Sequence, residues 1–551
     1  MRKWLLAGIL ILGFVLRVIL LDKSPVGFTA DEASFGYDAY SIIKTGRDQW
    51  GSTFPLVLKS FGDFKSPLYA YLTIPFVFVL GLTKFAVRLP NALLGAIAVY
   101  FVYLLSGEIG KLSELDKKKR SLLQLSASFL LAVSPWHIMM SRGAFEANLI
   151  TIFLPASIYF FLKGLKNSKL LILSALLFGL NLFTYHSAKL ITPIVILGLL
   201  VIFRREISKL RLKNIFISLF VFLVFFCGFL YTFSLGGGAR ISERSITQGA
   251  LEEGAKEKIA LIQGGKDPLI SKLLHNKYQT VAKRFILNYN QYFSAKFLFI
   301  KGAGETTYGM LPVGVLYIFE GILFLGVIYC LFQKKLRAVV IPLMLWLLIA
   351  PLPAALATGI GYSGNRAEGM IPSLQILGAF GLIGWTYLVS KINRKLVICL
   401  VVLLCGLASF EISKFAIYYF QKGDIAAKGM LYGSLEVAEW LSKSSETKNV
   451  IVSRSISEPQ IFVAFVNKWD PSDFQASTKT WGFDESDLSW VDQIPSYSLG
   501  NYTFKSVDWK VDTDTRNTTI VARPEEFPKN IVPDKVFTYT NGEDAIYVKN
   551  Y

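Results

Sequence analysis

Charged residues are scarce in this sequence, and their scarcity argues against a water-soluble fold. Of 551 residues only 18% are charged, whereas 53% are hydrophobic and 14% aromatic. An average soluble domain carries roughly 25% charged residues. Apolar runs of about 17 or more residues recur along the chain, and each is long enough to cross a hydrocarbon core of roughly 30 Å as a helix. The composition therefore predicts a polytopic membrane protein.

Cysteine and histidine are also rare, and no nucleotide-binding loop of the Walker type is present. The four cysteines lie in apolar runs, where a thiol behaves as a small hydrophobe, and the three histidines are far apart in the chain. Despite a net charge of +19, the basic residues form short clusters and no continuous stripe. The sequence therefore predicts no disulfide framework, no nucleic-acid partner and no required cofactor; it leaves a divalent cation open.

The predicted fold class is mainly α, a polytopic helical bundle of about eleven spans. No small-x-small cleavage site follows the first apolar run, so it is predicted to be retained as a span. The predicted spans are 4–21, 85–107, 122–139, 147–163, 169–184, 189–203, 214–233, 311–332, 338–357, 369–390 and 396–416.

Clusters of lysine and arginine predict the orientation of these spans. They fall in alternate short loops, which stay on the cytoplasmic side. The N-terminus is then cytoplasmic, and the long segments 22–84, 234–310 and 417–551 are extracytoplasmic. Residues 1–416 would form the membrane domain. Helical periodicity at 436–441 and strand patterns at 449–453, 518–522 and 545–548 predict a small soluble α/β domain over 417–551.

The first outer loop carries two acidic residues close to the membrane. Thr29 precedes Asp31 and Glu32, and an amphipathic helix is predicted to run through Tyr37 to Gly46. Thr29 and Glu32 fit a capping box, so both acids can simply start a surface helix. Alternatively, Asp31 is a general base for an acceptor hydroxyl, held by N–H groups at the helix start, while Glu32 caps or positions. Tyr37 is a candidate substrate contact.

A lysine follows in the same loop, immediately before a second apolar stretch. Pro67 suits the first turn of a helix, so Lys65 would lie at the membrane interface, where its ammonium can meet a lipid phosphate. The alternative is an ordinary lysine that extends its head group toward water. Asp63 is interpreted as a local ion-pair partner of Lys65 or as a metal ligand, and it is a candidate substrate contact.

Other charged residues fall on the predicted outer side. Arg142 and Glu146 occupy a short loop, where they can cap helices or pair with each other. His186 lies on the next outer turn, where it is either a sugar or metal contact or an interfacial hydrogen-bonding residue. Arg366 precedes a proline-containing span on the side where basic residues are depleted, so it is hard to explain as a topology signal.

The first outer loop resembles the protein O-mannosyltransferase and aminoarabinose lipid A transferase families of the GT-C superfamily. The resemblance rests on Asp31-Glu32 after the first span, Lys65 before Pro67, and Arg88-Leu89-Pro90 opening the second span. It implies that Asp31 is the catalytic base and that Lys65, Arg142 and Arg366 lie near a donor phosphate. It also implies a role for Glu146 at the catalytic cleft and a location in the plasma membrane.

Together these features predict a membrane glycosyltransferase. It would move a sugar from a polyprenyl-phosphate donor to an acceptor hydroxyl outside the cytoplasm, by an inverting single displacement. A secondary transporter and a non-catalytic envelope protein that binds glycans are the alternatives. Transporters carry charges near the bilayer midplane and often have repeated halves, whereas these charges cluster at one face and no repeat is detectable. The sugar, the acceptor and the oligomeric state cannot be read from the sequence.

Overall fold

The computed structural model of the chain describes residues 2–237, 246–264, 276–357, 363–389, 393–444, 449–483, 486, 488–514 and 517–551. It is mainly helical with a small C-terminal sheet domain, which confirms the predicted fold class. In chain order the helices of the first half are α1 Arg2–Val18, α2 Ala30–Thr45, α3 Leu68–Leu80, α4 Lys84–Leu112, α5 Lys117–Val133, α6 Pro135–Ser141, α7 Ile150–Gly164, α8 Leu170–Asn181, α9 His186–Ile202, α10 Arg204–Ile207 and α11 Leu212–Thr232.

The second half continues the bundle and then changes to mixed structure. Its helices are α12 Ile246–Gln263, α13 Lys277–Gln291, α14 Ile318–Phe332, α15 Lys334–Ile349, α16 Leu352–Ala355, α17 Ile371–Val389, α18 Arg394–Gln421, α19 Ser434–Ser444, α20 Pro459–Asn467 and α21 Pro471–Thr480. Short 3-10 segments include Glu146–Leu149 and Asn365–Met370.

Each of the eleven predicted spans coincides with a helical region, but helix length varies. Among the described residues, six helices are long and apolar enough to cross a membrane, or seven if α5 and α6, which bend by 57°, form one span. Shorter apolar helices include α3, α8, α9 and α14. The protein is thus a multi-pass membrane protein, while the number of eleven spans and their orientation remain predictions.

Small residues let two of these helices approach closely. A Cβ atom added to Gly326 of α14 would collide with the carbonyl oxygen of Gly381 in α17, and one added to Gly384 would collide with the carbonyl oxygen of Gly326. A Cβ at Gly381 would likewise collide with the carbonyl oxygen of Leu323. Helices in lipid associate by such close backbone packing rather than by hydrophobic exclusion. These glycines therefore set the distance between α14 and α17.

The first outer loop contains helix α2, which begins and ends as the sequence predicts. Thr29 and Glu32 form the capping box, and Gly46 ends the helix in the left-handed conformation at φ 69°. A two-stranded ribbon, β1 Leu58–Lys59 with β2 Phe64–Lys65, then leads into α3. Lys65 consequently lies just before a helix, as predicted.

The C-terminal domain is built on one six-stranded sheet. Its strands are β3 Asn449–Ser453, β4 Ser496–Leu499, β5 Tyr502–Lys505, β6 Thr518–Ala522, β7 Lys535–Thr538 and β8 Asp544–Asn550, in the spatial order β4-β5-β3-β6-β8-β7. Strand β3 is parallel to both of its neighbours, β5 and β6. Its near-continuous apolar sequence is typical of a strand covered on both faces. Helix α18 extends past residue 416, so the exact division of the chain there stays a prediction.

The C-terminal domain packs directly on helix α2. The ring centroids of Phe28 and Phe465 are 5.1 Å apart, and the backbone N–H of Phe28 donates to the carbonyl of Met430 at 2.8 Å. On the next turns of α2, the Tyr37 hydroxyl donates to the carbonyl of Trp469 at 2.9 Å. The sheet domain is therefore in contact with the helix that begins at the two acidic residues.

The glycine contact between α14 and α17 generates a stability prediction. We expect Gly381→Ala to lower the midpoint of thermal unfolding in detergent by several degrees, because the new methyl group forces the helices apart at a cost of roughly 1–3 kcal/mol. The matched control is Gly406→Ala in α18, where nothing lies within 4 Å of an added Cβ. Equal midpoints for the two variants would contradict the packing described.

Candidate functional site

A half-exposed carboxylate and a buried ammonium form the centre of the site. The Asp31 side chain is 51% exposed, and its Oδ1 accepts a hydrogen bond of 2.9 Å from Lys65 Nζ, whose side chain is 2% exposed. The ammonium also lies 4.6 Å and 5.4 Å from the ring centroids of Phe35 and Phe61. Two aromatic faces and one carboxylate thus replace the water lost by Lys65.

Lys65 keeps its positive charge although its side chain is buried. Burial lowers the pKa of Lys65, but the negative charge of Asp31 and its hydrogen bond raise it more, so that the pKa lies above its usual 10.5. A cation at 2.9 Å favours the ionised form of a carboxyl group. Lys65 therefore holds Asp31 as a carboxylate that can accept a proton.

The adjacent acid, Glu32, is fully buried and structural in its contacts. Arg88 donates from Nε to Oε1 at 2.7 Å and from Nη2 to Oε2 at 3.0 Å. The backbone N–H groups of Thr29 and Ala144 donate to the same carboxylate, each at 3.0 Å. Burial raises the pKa of Glu32, but the charge and hydrogen bonds of Arg88 and the N–H donors outweigh it, so the pKa lies below 4.5. Glu32 therefore caps and fixes the start of α2.

A cavity of about 360 Å³ lies between the start of α9, the end of α11 and the segments around α16 and Arg366. Its walls are mostly apolar, with three basic or ring-nitrogen groups among them. The lining residues are Leu190, Phe229, Phe233, Pro353, Leu356, Ala357, Tyr185, Ser187, His186, Lys189 and Arg366. Apolar walls with a few cationic groups suit an amphiphile that carries an anion.

His186 connects this cavity to the lysine of the first loop. Its Nε2 lies 3.3 Å from the carbonyl oxygen of Phe64, the residue before Lys65, so Nε2 carries the proton in that contact. Its Nδ1 is then an acceptor and lies 3.5 Å from Lys189 Nζ. The structure thus brings His186 and Arg366 to one cavity and links that cavity to Lys65.

A further carboxyl group reaches this region from the second long outer segment. Glu305 Oε2 accepts 2.8 Å from the backbone N–H of Gly364, two residues before Arg366. Burial raises the pKa of Glu305 to about 7, although the charge of Arg366 opposes the shift. Segment 234–310, which carried no recognisable motif, therefore contributes an acid beside Arg366.

The Arg142 side chain binds backbone carbonyls at the end of α1 and lies outside the cavity lining. Its guanidinium is buried and donates to the carbonyls of Leu16, Ile19 and Ser24 at 2.9, 2.6 and 2.9 Å. It therefore closes the end of α1 and does not line the cavity. Glu146 starts the 3-10 segment that precedes α7, and it is likewise outside the cavity lining.

The two remaining candidates lie around α2 and the first loop. Tyr37 is fully buried between α2 and the C-terminal domain, where its ring centroid is 5.1 Å from that of Phe474. Asp63 is 9% exposed, and its backbone carbonyl accepts 2.8 Å from the N–H of Ser60 in the turn before Lys65. Tyr37 therefore belongs to the domain interface. Asp63 belongs to the loop that carries Lys65.

The divalent cation left open by the sequence finds no obvious donor set in the ranges that are described. No three histidine, cysteine, aspartate or glutamate side chains there converge as metal ligands. His275 lies outside the described residues. A cation requirement is untested.

Sequence patterns indicated no role for Lys189 or Glu305, and they placed Arg88 only at the start of a span. Arg88 pairs with an acid 56 residues away, and Glu305 meets Gly364 59 residues away. Contacts between residues so far apart in the chain produce no recognisable pattern in the local sequence. For Lys189 there was a usable signal, because a lysine on the outer side of a predicted span is as unexpected there as Arg366.

Comparisons with a family model and with solved structures agree with the fold described above. Residues 64–231 match the family model of dolichyl-phosphate-mannose-protein mannosyltransferases. The chain also resembles the crystal structure of ArnT from Cupriavidus metallidurans bound to undecaprenyl phosphate, at 11% identity and a TM-score of 0.53 over 99% of this chain and 97% of that one. The apo state of the same protein gives 12% identity and a TM-score of 0.50 with the same coverage.

A weaker likeness is to the oligosaccharyltransferase of Archaeoglobus fulgidus in complex with Zn and sulfate. It has 13% identity and a TM-score of 0.47, and covers 84% of this chain and 61% of that one. No curated protein matches the chain by sequence. The likeness to the ArnT structures shows that the chain has the GT-C type of membrane fold, as the resemblance predicted.

The Glu32–Arg88 pair generates a second prediction. We expect Glu32→Gln to destabilise the protein by about 3–5 kcal/mol at pH 7, because it leaves the Arg88 charge buried without a counter-charge. Thermal or denaturant unfolding in detergent measures the loss. The matched control is Glu114→Gln, which breaks an exposed ion pair with Lys335 and should cost at most about 1 kcal/mol.

The pH dependence of this difference has a definite sign. Since the folded pKa of Glu32 is below 4.5, its contribution is present above the unfolded value and is lost as pH falls through the folded value. The difference in unfolding free energy between the native chain and Glu32→Gln should therefore become smaller at acid pH. If that difference stays constant from pH 7 down to the lowest pH at which the protein is folded, the ionised form of Glu32 does not stabilise the fold.

Proposed function

We propose that this protein is a glycosyltransferase that moves a sugar from a polyprenyl-phosphate donor to an acceptor hydroxyl on the extracytoplasmic side of the plasma membrane. The observation that carries the proposal is the half-exposed Asp31 carboxylate held at 2.9 Å by the buried Lys65. The loop that carries Lys65 contacts, through Phe64 and His186, a cavity whose apolar walls carry Arg366 and Lys189. A base and a cationic lipid-binding cavity are the two parts that this reaction needs.

The chemistry asks for few protein groups. Asp31 takes the proton of the acceptor hydroxyl while the acceptor oxygen attacks the anomeric carbon from the side opposite the phosphate. The bond from that carbon to the phosphate oxygen breaks, and its electron pair leaves with the phosphate. Lys65, Arg366 and Lys189 supply the positive charge that stabilises the leaving group. One displacement inverts the configuration of the sugar.

Two comparisons support a lipid-linked donor. The matched family model is described by dolichyl-phosphate-mannose, and the ArnT structure is described as bound to undecaprenyl phosphate. Both compounds are polyprenyl phosphates or their glycosides. A mostly apolar cavity with a few cationic groups in its walls suits such a carrier better than it suits a free nucleotide sugar.

The first test is turnover by the native chain and by Asp31→Asn, both reconstituted in nanodiscs. The donors are mannose, glucose and aminoarabinose on undecaprenyl or dolichyl phosphate, with a cell-envelope extract as acceptor. We expect the native chain to release polyprenyl phosphate and Asp31→Asn to do so at least about a hundredfold more slowly, because the base is removed.

The matched control is Asp22→Asn, the same substitution at an exposed position of the same loop, which should keep native turnover. Unfolding midpoints verify that all three chains fold. Equal rates for the native chain and Asp31→Asn would exclude this base. No donor consumption by the native chain would favour a transporter or a glycan-binding protein.

A separate prediction concerns the cavity. We expect Arg366→Gln to raise the KM for the donor, and the Kd for undecaprenyl phosphate alone, by roughly 10- to 100-fold, because a charge-assisted hydrogen bond is worth about 1.5–3 kcal/mol. The control, Arg337→Gln, changes an exposed arginine in the first turn of α15 and should leave both constants unchanged. If Arg366→Gln bound undecaprenyl phosphate as tightly as the native chain, this cavity would not be the donor site.

A further inference from the structure

The C-terminal domain touches the loop that carries Lys65. The backbone N–H of Val491 donates to the carbonyl of Phe61 at 2.7 Å. A Cβ added at Gly62 would collide with the carbonyl oxygen of Ser489 and lie 2.5 Å from the Trp490 ring. The Phe61 ring centroid lies 5.4 Å from Lys65 Nζ, so residues 489–491 contact the part of the loop that packs against the Lys65 ammonium.

The same part of the domain holds a buried acid in an unusual backbone conformation. Glu458 is 6% exposed and has φ 44° and ψ 54°, in the left-handed region. Its Oε1 accepts 2.6 Å from the indole N–H of Trp490, its Oε2 accepts 2.5 Å from the Ser457 hydroxyl, and its own N–H donates to Asp492 Oδ2 at 3.1 Å. Residues other than glycine keep this conformation where surrounding contacts enforce it, often at functional sites.

The charged groups that act on Glu458 come from two other elements. Burial raises the pKa of Glu458 to about 7, and the negative charges of Asp492 and Asp31 add to the rise. Burial likewise raises the pKa of Asp492 to about 6, against the opposing charge of Arg454. Asp31 is itself paired with Lys65. The geometric connection between Glu458 and the loop that carries Lys65 is Trp490, which donates to Glu458 and packs against Gly62, and the charge of Asp31 acts on Glu458 in the same direction as burial.

We propose that Glu458 is a positioning residue of the transferase site, whose negative charge makes Asp31 a stronger base for the acceptor proton. This inference rests on the proposed function. As Asp31 takes the proton it becomes neutral, so its repulsion with an ionised Glu458 disappears. The interaction is thus more favourable in the transition state than in the ground state, which is the condition for a rate effect.

The kinetic test compares the native chain with Glu458→Gln. Glutamine is isosteric, keeps an oxygen acceptor for Trp490 and demands the same backbone conformation, so the variant should fold. We expect its kcat to be reduced roughly three- to tenfold at pH 8, where Glu458 is ionised, and the ratio to narrow toward pH 6, where the native residue is largely protonated. The KM for the donor should change little, because Glu458 lies away from the cavity.

A second readout needs no turnover. Because Trp490 donates to Glu458, its fluorescence should report the titration of that carboxyl group, isolated as the difference between the native chain and Trp490→Phe. We expect a transition near pH 7 that is absent in Glu458→Gln. Asp31→Asn should move the midpoint to lower pH, since it removes a negative charge that favours protonation of Glu458. Asp22→Asn should leave the midpoint in place.

The outcomes separate this inference from the proposed function. If Asp31→Asn leaves the midpoint of the Trp490 fluorescence titration unchanged, the interaction between Asp31 and Glu458 is refuted, even if the native chain is an active transferase. A native-to-variant kcat ratio that is the same at pH 6 and pH 8 would reduce Glu458 to a structural role. If Asp31→Asn moves this titration midpoint but the native chain consumes no donor, the proposed function is refuted, and with it the kinetic role of Glu458.

Discussion

The guanidinium of Arg88 is completely buried, and the segment that joins α1 to α2 folds around it. Besides Glu32, it donates to the carbonyls of Leu21, Pro25 and Gly27 at 3.3, 3.0 and 2.8 Å. A planar group with five N–H donors demands acceptors at fixed angles. Arg88 in α4 therefore determines how the chain leaves α1, where it turns, and where α2 begins.

The separate roles of two adjacent acids follow from that constraint. Consecutive residues of a helix point about 100° apart, so when Glu32 faces inward to Arg88, Asp31 must face another way. It faces Lys65 and remains half exposed. The same turn of helix thus gives one carboxylate without solvent contact, suited to structure, and one that a substrate can reach. The buried pair sets the direction of the exposed one.

Features encoded in short stretches were predictable. Thr29 with Glu32 gave the cap of α2, Gly46 gave its end, and the apolar runs gave the helical regions of the bundle. Two interpretations that the sequence left open are now clearer: Glu32 caps, and Lys65 is buried rather than extended to water. Arg142, predicted to lie near a donor phosphate, donates to several carbonyls at the end of α1, and its predicted role stays a prediction.

Contacts between distant segments were not predictable. Nothing near Glu458 in the sequence points to Asp31, since their proximity depends on how α20 packs against α2. Glu305 and Arg366 meet only because two outer segments converge. The fold class thus followed from composition and periodicity, while the site followed from the sequence only within the first outer loop.

The contacts of the C-terminal domain bear on how such an enzyme would select its acceptor. Phe465, Trp469 and Ser489 touch α2 and the first loop at three separate points. Closely packed interfaces shift as units rather than deforming gradually. Any acceptor that moves the C-terminal domain would therefore also alter the surroundings of Asp31 and Lys65. In the proposed reaction Asp31 accepts its proton in these surroundings, so a displacement of the C-terminal domain would change the proton transfer.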